Sequence, residues 1–125
     1  MNFHYLINTG NKMKIAIPTE DGFTVNQHFT PVRGFLVSTI QFGEVVKQEM
    51  RWNPESEIRT SEDRSYQNLF DCEKVIVREI DFNESNNLQS QKKEVIKTEE
   101  TIITNVLMQY LSTSLQKEAN TCCSP

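Results

Sequence analysis

Two alternating runs joined through a tight glycine connection constrain this chain more than any other feature. In residues 34–42, Leu36, Ile40 and Phe42 fall on one face, and Phe35, Val37 and Thr39 on the other. Gly43-Glu44 forms the connection, and residues 45–52 alternate again. There Val46, Met50 and Trp52 point one way, and Lys47, Glu49 and Arg51 the other. Side chains of period two on both arms of a short turn specify a β-hairpin, and the charged face of the second arm makes it a half-exposed outer strand. Asn53-Pro54 ends that arm, because proline cannot donate to a ladder.

The remaining runs supply partners for the hairpin. Lys14-Ile15-Ala16-Ile17 reads as a first strand stopped by Pro18, and Thr19-Glu20-Asp21-Gly22 as a turn. Residues 55–70 are polar until Tyr66, Leu69 and Phe70, whose helical spacing predicts a short helix. Lys74-Val75-Ile76-Val77 has the apolar centre of a buried central strand. A weak helix is expected around Leu88, then a short strand at Glu94-Val95-Ile96-Lys97. The clearest helix is last: Thr98 as its cap, Glu99 and Glu100 in its first turn, and a stripe of Ile102, Ile103, Val106, Leu107, Tyr110, Leu111 and Leu115. A hairpin followed by strands separated by helices predicts an α/β domain with a mixed sheet and packed helices.

The domain is expected over residues 13–115. Residues 1–12 hold no Asp or Glu and read as a flexible extension, and residues 116–125 show no periodicity and read as a flexible tail. With 125 residues the chain suits one domain that can bury a core without disulfides or a structural metal. The net charge of −4 argues against a general nucleic-acid binder, which needs surplus Lys and Arg on one face. No apolar run approaches membrane-spanning length and no signal-type apolar block opens the chain, so a cytoplasmic protein is expected. Three cysteines, with Cys122 and Cys123 adjacent, make no disulfide framework.

A set of segments in fixed order then resembles a known family. It comprises Met13-Lys14-Ile15-Ala16-Ile17-Pro18, Glu20-Asp21-Gly22, His28-Phe29, Phe35-Leu36-Val37 and Gly43-Glu44-Val45-Val46. Asn53-Pro54, Asp71-Cys72-Glu73-Lys74-Val75-Ile76-Val77 and a final helix with Tyr110-Leu111 complete it. The set is similar to the dinitrogenase iron–molybdenum cofactor biosynthesis family. The resemblance implies a ribonuclease H-like three-layer α/β domain with a five-stranded mixed sheet. It also implies a non-catalytic protein that holds an iron–molybdenum cofactor or an iron–sulfur precursor. Two departures stand out. Thr30 occupies the glycine position of the family's His-Phe-Gly, and Arg78-Glu79-Ile80-Asp81 replaces its glycine-rich turn. Side chains there, two of them acidic, crowd a backbone that glycine would leave open to an anion.

His28 is the leading candidate ligand, since neutral imidazole suits iron; without a second ligand nearby, a histidine in a loop otherwise only hydrogen-bonds its neighbours. Phe29, Thr30 and Arg33 would line a site at that loop, with Arg33 offering positive charge to an anionic cluster. His4 is read as a loop residue. Cys72, before a buried strand, reads as a small core hydrophobe. Cys122 and Cys123 make at most half of a thiolate site. Lys92-Lys93 reads as a solvated face, and Met50 and Trp52 as core. Glu20, Asp21 and Asp81 do not form a two-metal nuclease centre, since the first strand carries no carboxylate. The competing expectation is a domain without cofactor that makes protein contacts, its hairpin edge pairing with another copy as a homodimer.

Overall fold

Ile15, Ala16 and Ile17 are fully buried, so strand β1 (Met13–Thr19) must be covered on both faces. A computed structural model describes residues 12–53 and 68–123, the stretch 114–123 as helical backbone, and places β1 at the centre of a five-stranded sheet. The other strands are β2 (Gly34–Gln41), β3 (Glu44–Trp52), β4 (Lys74–Val77) and β5 (Glu94–Lys97). Their order is β3-β2-β1-β4-β5. The β1–β2 and β2–β3 pairs are antiparallel, and the β1–β4 and β4–β5 pairs parallel. Strand β1 runs on through Pro18 to Thr19, past the Ile15 and Ala16 positions where β4 pairs with it.

Helix α1 (Phe82–Ser90) covers one face of the sheet and helix α2 (Ile103–Cys123) the other. Leu88 of α1 joins Ala16, Phe29, Val32, Phe35, Val37, Leu69, Cys72, Val75 and Val77 in one core. Val106 and Leu107 of α2 join Ile15, Ile17, Val25, Leu36, Ile40 and Ile76 in the second. The result is the mixed, five-stranded α/β architecture expected, with a helix on each face. No helix among the described residues is long and apolar enough to cross a membrane.

The hairpin closes one residue earlier than its glycine suggests. Gln41 pairs with Glu44, and Phe42 and Gly43 both take positive φ (58° and 75°), as a two-residue type I′ turn requires. Phe42 is therefore an exposed turn residue, not part of the Leu36–Ile40 face. A bulge between Thr39 and Ile40 then shifts the register of β3, so that Val45 rather than Val46 packs with Met50 against the core. Trp52 is not core either: it is 54% exposed, stacked past Gly34, where a Cβ would come within 2.7 Å of the Arg51 carbonyl oxygen.

Helix α2 starts at Ile103, not at Thr98. Residues 98–102 instead form a strap: Val25 N–H donates to Thr101 O at 2.8 Å, Ile102 bridges Thr24, and Ile103 N–H donates to Phe23 O at 3.0 Å. Its backbone stays helical to Cys123, through the segment read as a tail. Lys93 is another correction: only 7% exposed, its ammonium donates to Leu69 O at 2.6 Å and Cys72 O at 2.9 Å. The expected helix near Tyr66 lies mostly outside the described residues, as does the extension apart from Lys12.

Candidate functional site

The loop after β1 is fixed from both ends. Asp21 accepts from the backbone N–H groups of Phe23 and Thr24 at 2.8 Å, bonds that hold its carboxyl down at about 2. Asn26 N–H donates to Pro18 O at 2.8 Å. Beyond β4 the chain continues alongside this loop: Glu79 N–H donates to Gln27 O and Phe29 N–H to Glu79 O, both at 3.0 Å. The turn that replaces the glycine-rich segment is thus clamped to the His28 loop, and the two departures from the family pattern are neighbours in space.

Phe29 anchors the loop. Its side chain is fully buried and tilted against Phe35, with ring centroids 5.7 Å apart, so it serves the core and presents no surface to a ligand. With Phe29 turned in, His28 turns out: its side chain is 63% exposed and its Nδ1 lies 3.6 Å from Glu79 Oε1. The other Glu79 oxygen accepts from Gln27 Nε2 at 3.1 Å. The Glu79 carboxylate thus stands beside Nδ1, on the side where a metal-ligating histidine commonly has a carboxylate partner.

Thr30, which precedes a cis bond to Pro31, donates its hydroxyl to Glu84 of α1. Glu84 and Asp81 form a capping box: Asn83 N–H donates to Asp81 Oδ1 and Asp81 N–H to Glu84 Oε1, each at 3.3 Å. Burial pushes the Glu84 carboxyl above its ordinary range. The N-terminus of α1, where free N–H groups would favour an anion, is therefore occupied by the chain's own carboxylates. Arg33 makes its contacts elsewhere, with Nε 3.0 Å from Glu20 Oε1 and its N–H on Glu20 Oε2 at 3.0 Å. Arg78, in the bend between β4 and Glu79, keeps its Nε buried without a hydrogen-bond partner among the described residues.

The structure thus brings His28 and Thr30 together with Glu79 and Glu84, and leaves Phe29 in the core and Arg33 on Glu20. The Asp81 and Glu84 pair had a sequence signal in its Asp-x-x-Glu spacing. The Glu79 partnership had none, because it depends on a backbone pairing between residues far apart in the chain. Among the described residues no group of three His, Cys, Asp or Glu side chains is placed to hold a metal ion. Cys72 is buried, and desolvation pushes its thiol up to about 12, so it holds its proton as a core residue should.

A five-stranded mixed sheet with the exposed His28 imidazole at one end, clamped by backbone pairing, defines a small α/β domain. The chain belongs to the dinitrogenase iron-molybdenum cofactor family, whose family model matches residues 11–113. No curated protein matches it. Solved structures share the fold. The protein PH0822 has a TM-score of 0.71 at 20% identity, over 81% of this chain and 90% of that one. A protein of Methanocaldococcus jannaschii, titled provisionally a dinitrogenase, gives 0.66 at 19% identity over 82% and 91%. One from Thermotoga, titled provisionally a NifB protein, gives 0.61 at 17% over 81% and 88%.

Proposed function

We infer that this chain is a non-catalytic, cytosolic binding protein that takes an iron-bearing cargo, an iron–molybdenum or iron–sulfur cluster, through His28. The observation that carries this reading is the exposed His28 imidazole, held by the Gln27–Glu79–Phe29 backbone pairs with a carboxylate at Nδ1. That arrangement offers one nitrogen ligand at a fixed position, and membership of the cofactor family supplies the class of cargo. One ligand suits a carrier: the cargo keeps its remaining ligands, or takes them from its donor and acceptor, and leaves readily.

A second reading is favoured by the capping box. Asp81 and Glu84 fill the helix terminus and Glu79 flanks the imidazole, so an anionic cluster meets carboxylates rather than free N–H groups. On that reading the domain has kept the family fold and serves in protein contact without cofactor.

Anaerobic reconstitution of the full chain with iron and sulfide, followed by metal analysis and an absorption spectrum, separates the two. Stoichiometric iron that is lost in His28→Ala and kept in Cys122→Ser/Cys123→Ser supports the carrier. Iron lost only in the cysteine double variant moves the site to the end of α2 and overturns the role of His28. No iron in any form establishes the cofactor-free reading.

A further inference from the structure

We propose that β3 pairs antiparallel with β3 of a second copy, about a two-fold axis through Gln48, so that two five-stranded sheets become one continuous sheet. This inference is independent of whether His28 takes a ligand.

Among the described residues, strand β3 lies at the edge of the sheet with β2 as its neighbour on one side. It is nine residues long, and alternate backbone groups along it face away from β2. Exposed edges of this length are templates for another strand unless something blunts them. Here the bulge lies at the hairpin end, beside Val45 and Val46, and leaves residues 47–52 in regular register with β2. Val46 and Trp52, two large apolar side chains, remain half exposed along this edge.

The charges on the strand choose both partner and register. In an antiparallel two-fold pair the outward-facing residues of one strand must meet those of the other, so the axis passes through a residue. An axis through Glu49 sets Glu49 against its own copy and Lys47 against Arg51. An axis through Lys47 sets Lys47 against Lys47. An axis through Met50 sets Glu49 against Arg51, which is 14% exposed and already bonded to Asp71 at 2.6 and 3.0 Å. An axis through Gln48 is centred on Lys47, Gln48 and Glu49, which lie in the regular stretch past the bulge. It places Lys47 opposite Glu49 twice, inside the stretch that keeps regular register. Lys47 is exposed and its ammonium stands 3.6 Å from Glu49 Oε1 of its own strand, so it needs little movement to serve both carboxylates. Cross-strand opposite charges stabilise such a pair and like charges oppose it.

The test uses charge reversal on the full chain, followed by sedimentation over a range of concentrations. The parent is expected to dimerise. Lys47→Glu alone sets Glu against Glu twice, and Glu49→Lys alone sets Lys against Lys twice; each is expected to weaken the dimer about tenfold or more. Mixed together, the two variants regain complementary pairs at both positions, so a heterodimer of near-parental affinity is expected. A parent that stays monomeric, variants that dimerise as the parent does, or a mixture that fails to recover would each overturn the proposal. Gln48→Cys gives a reading free of charge effects. The axis brings the two copies of this residue to about 5.5 Å between Cα atoms, within disulfide range, so mild oxidation is expected to cross-link it well above the parent. Absence of that cross-link in a folded protein refutes the register.

Discussion

Lys93 shows how far a single residue can depart from its ordinary setting. Its neighbour Lys92 has a positive φ of 66°, which swings the chain so that the next side chain points into the domain. There the ammonium bonds the carbonyls of Leu69 and Cys72 and ties the start of β5 to the turn that leads into β4. Removing the donor while keeping the stem takes a partner from the Cys72 carbonyl and one of two from the Leu69 carbonyl, which keeps the Cys72 N–H at 2.9 Å. Lys93→Met is therefore expected to lose about 1–3 kcal/mol, read as a lower midpoint of urea unfolding at unchanged slope. An unchanged midpoint would mean that water replaces the ammonium at no cost. His28→Ala makes the contrast: with its side chain mostly in solvent, its stability is expected to match the parent within about 0.5 kcal/mol. The sequence shows Lys92 and Lys93 as a charged doublet, and no local pattern distinguishes the one that turns inward.

At the scale of elements, the β2–β3 turn offers a direct test of backbone preference. Phe42 holds a left-handed conformation that costs a non-glycine residue about 1 kcal/mol, and its ring is exposed, so packing returns little. Phe42→Asn supplies the residue that a type I′ turn favours before glycine and is expected to raise stability by about 0.5–1 kcal/mol in urea unfolding. A loss of stability would show that the ring packs in solution. The same turn explains what could be read from the chain. Period-two alternation located both arms of the hairpin, and the apolar centre Val75-Ile76-Val77 located β4, because these signals are local. The turn position, the bulge and the end of the last helix were not local. Phe42 looked like one more apolar residue on a strand face, and a single inserted residue exchanged Val46 for Val45. Thr98 followed by two glutamates has the composition of a helix start, but tertiary pairing with Phe23 and Val25 holds residues 98–102 as a strap. For the site, His28 was legible as an exposed loop residue, whereas Glu79 reached it only through the fold, and Phe29 was claimed by the core.

Across the whole molecule, a charge network spans elements that are distant in sequence. Asp71, just before β4, accepts from Arg51 of β3 and from Lys14 of β1 at 2.8 Å, and Arg51 also bonds Glu49 at 2.8 Å. The guanidinium beside Asp71 holds its carboxyl well below the usual range and raises its own basicity in turn. A depressed carboxyl contributes stability that is fully present above the unfolded value, near 3.9, and is lost as pH falls through the folded one. Asp21, held at about 2 by backbone donors, and Glu49, lowered by Arg51, act in the same sense. Glu84, raised by burial, acts in the opposite sense, its cost being relieved as it protonates. Three of these four groups are depressed, so the domain is expected to weaken steadily below about pH 4. Asp71→Asn removes the central acceptor and leaves Arg51, largely buried, with less to pair with. It is expected to lose about 2 kcal/mol at pH 7 and to show a shallower decline between about pH 4 and pH 2, by urea midpoints across that range. If parent and variant decline in parallel, the acid sensitivity resides in other carboxylates. The hairpin is then joined to β1 and β4 by the sheet and its cores, without help from the network.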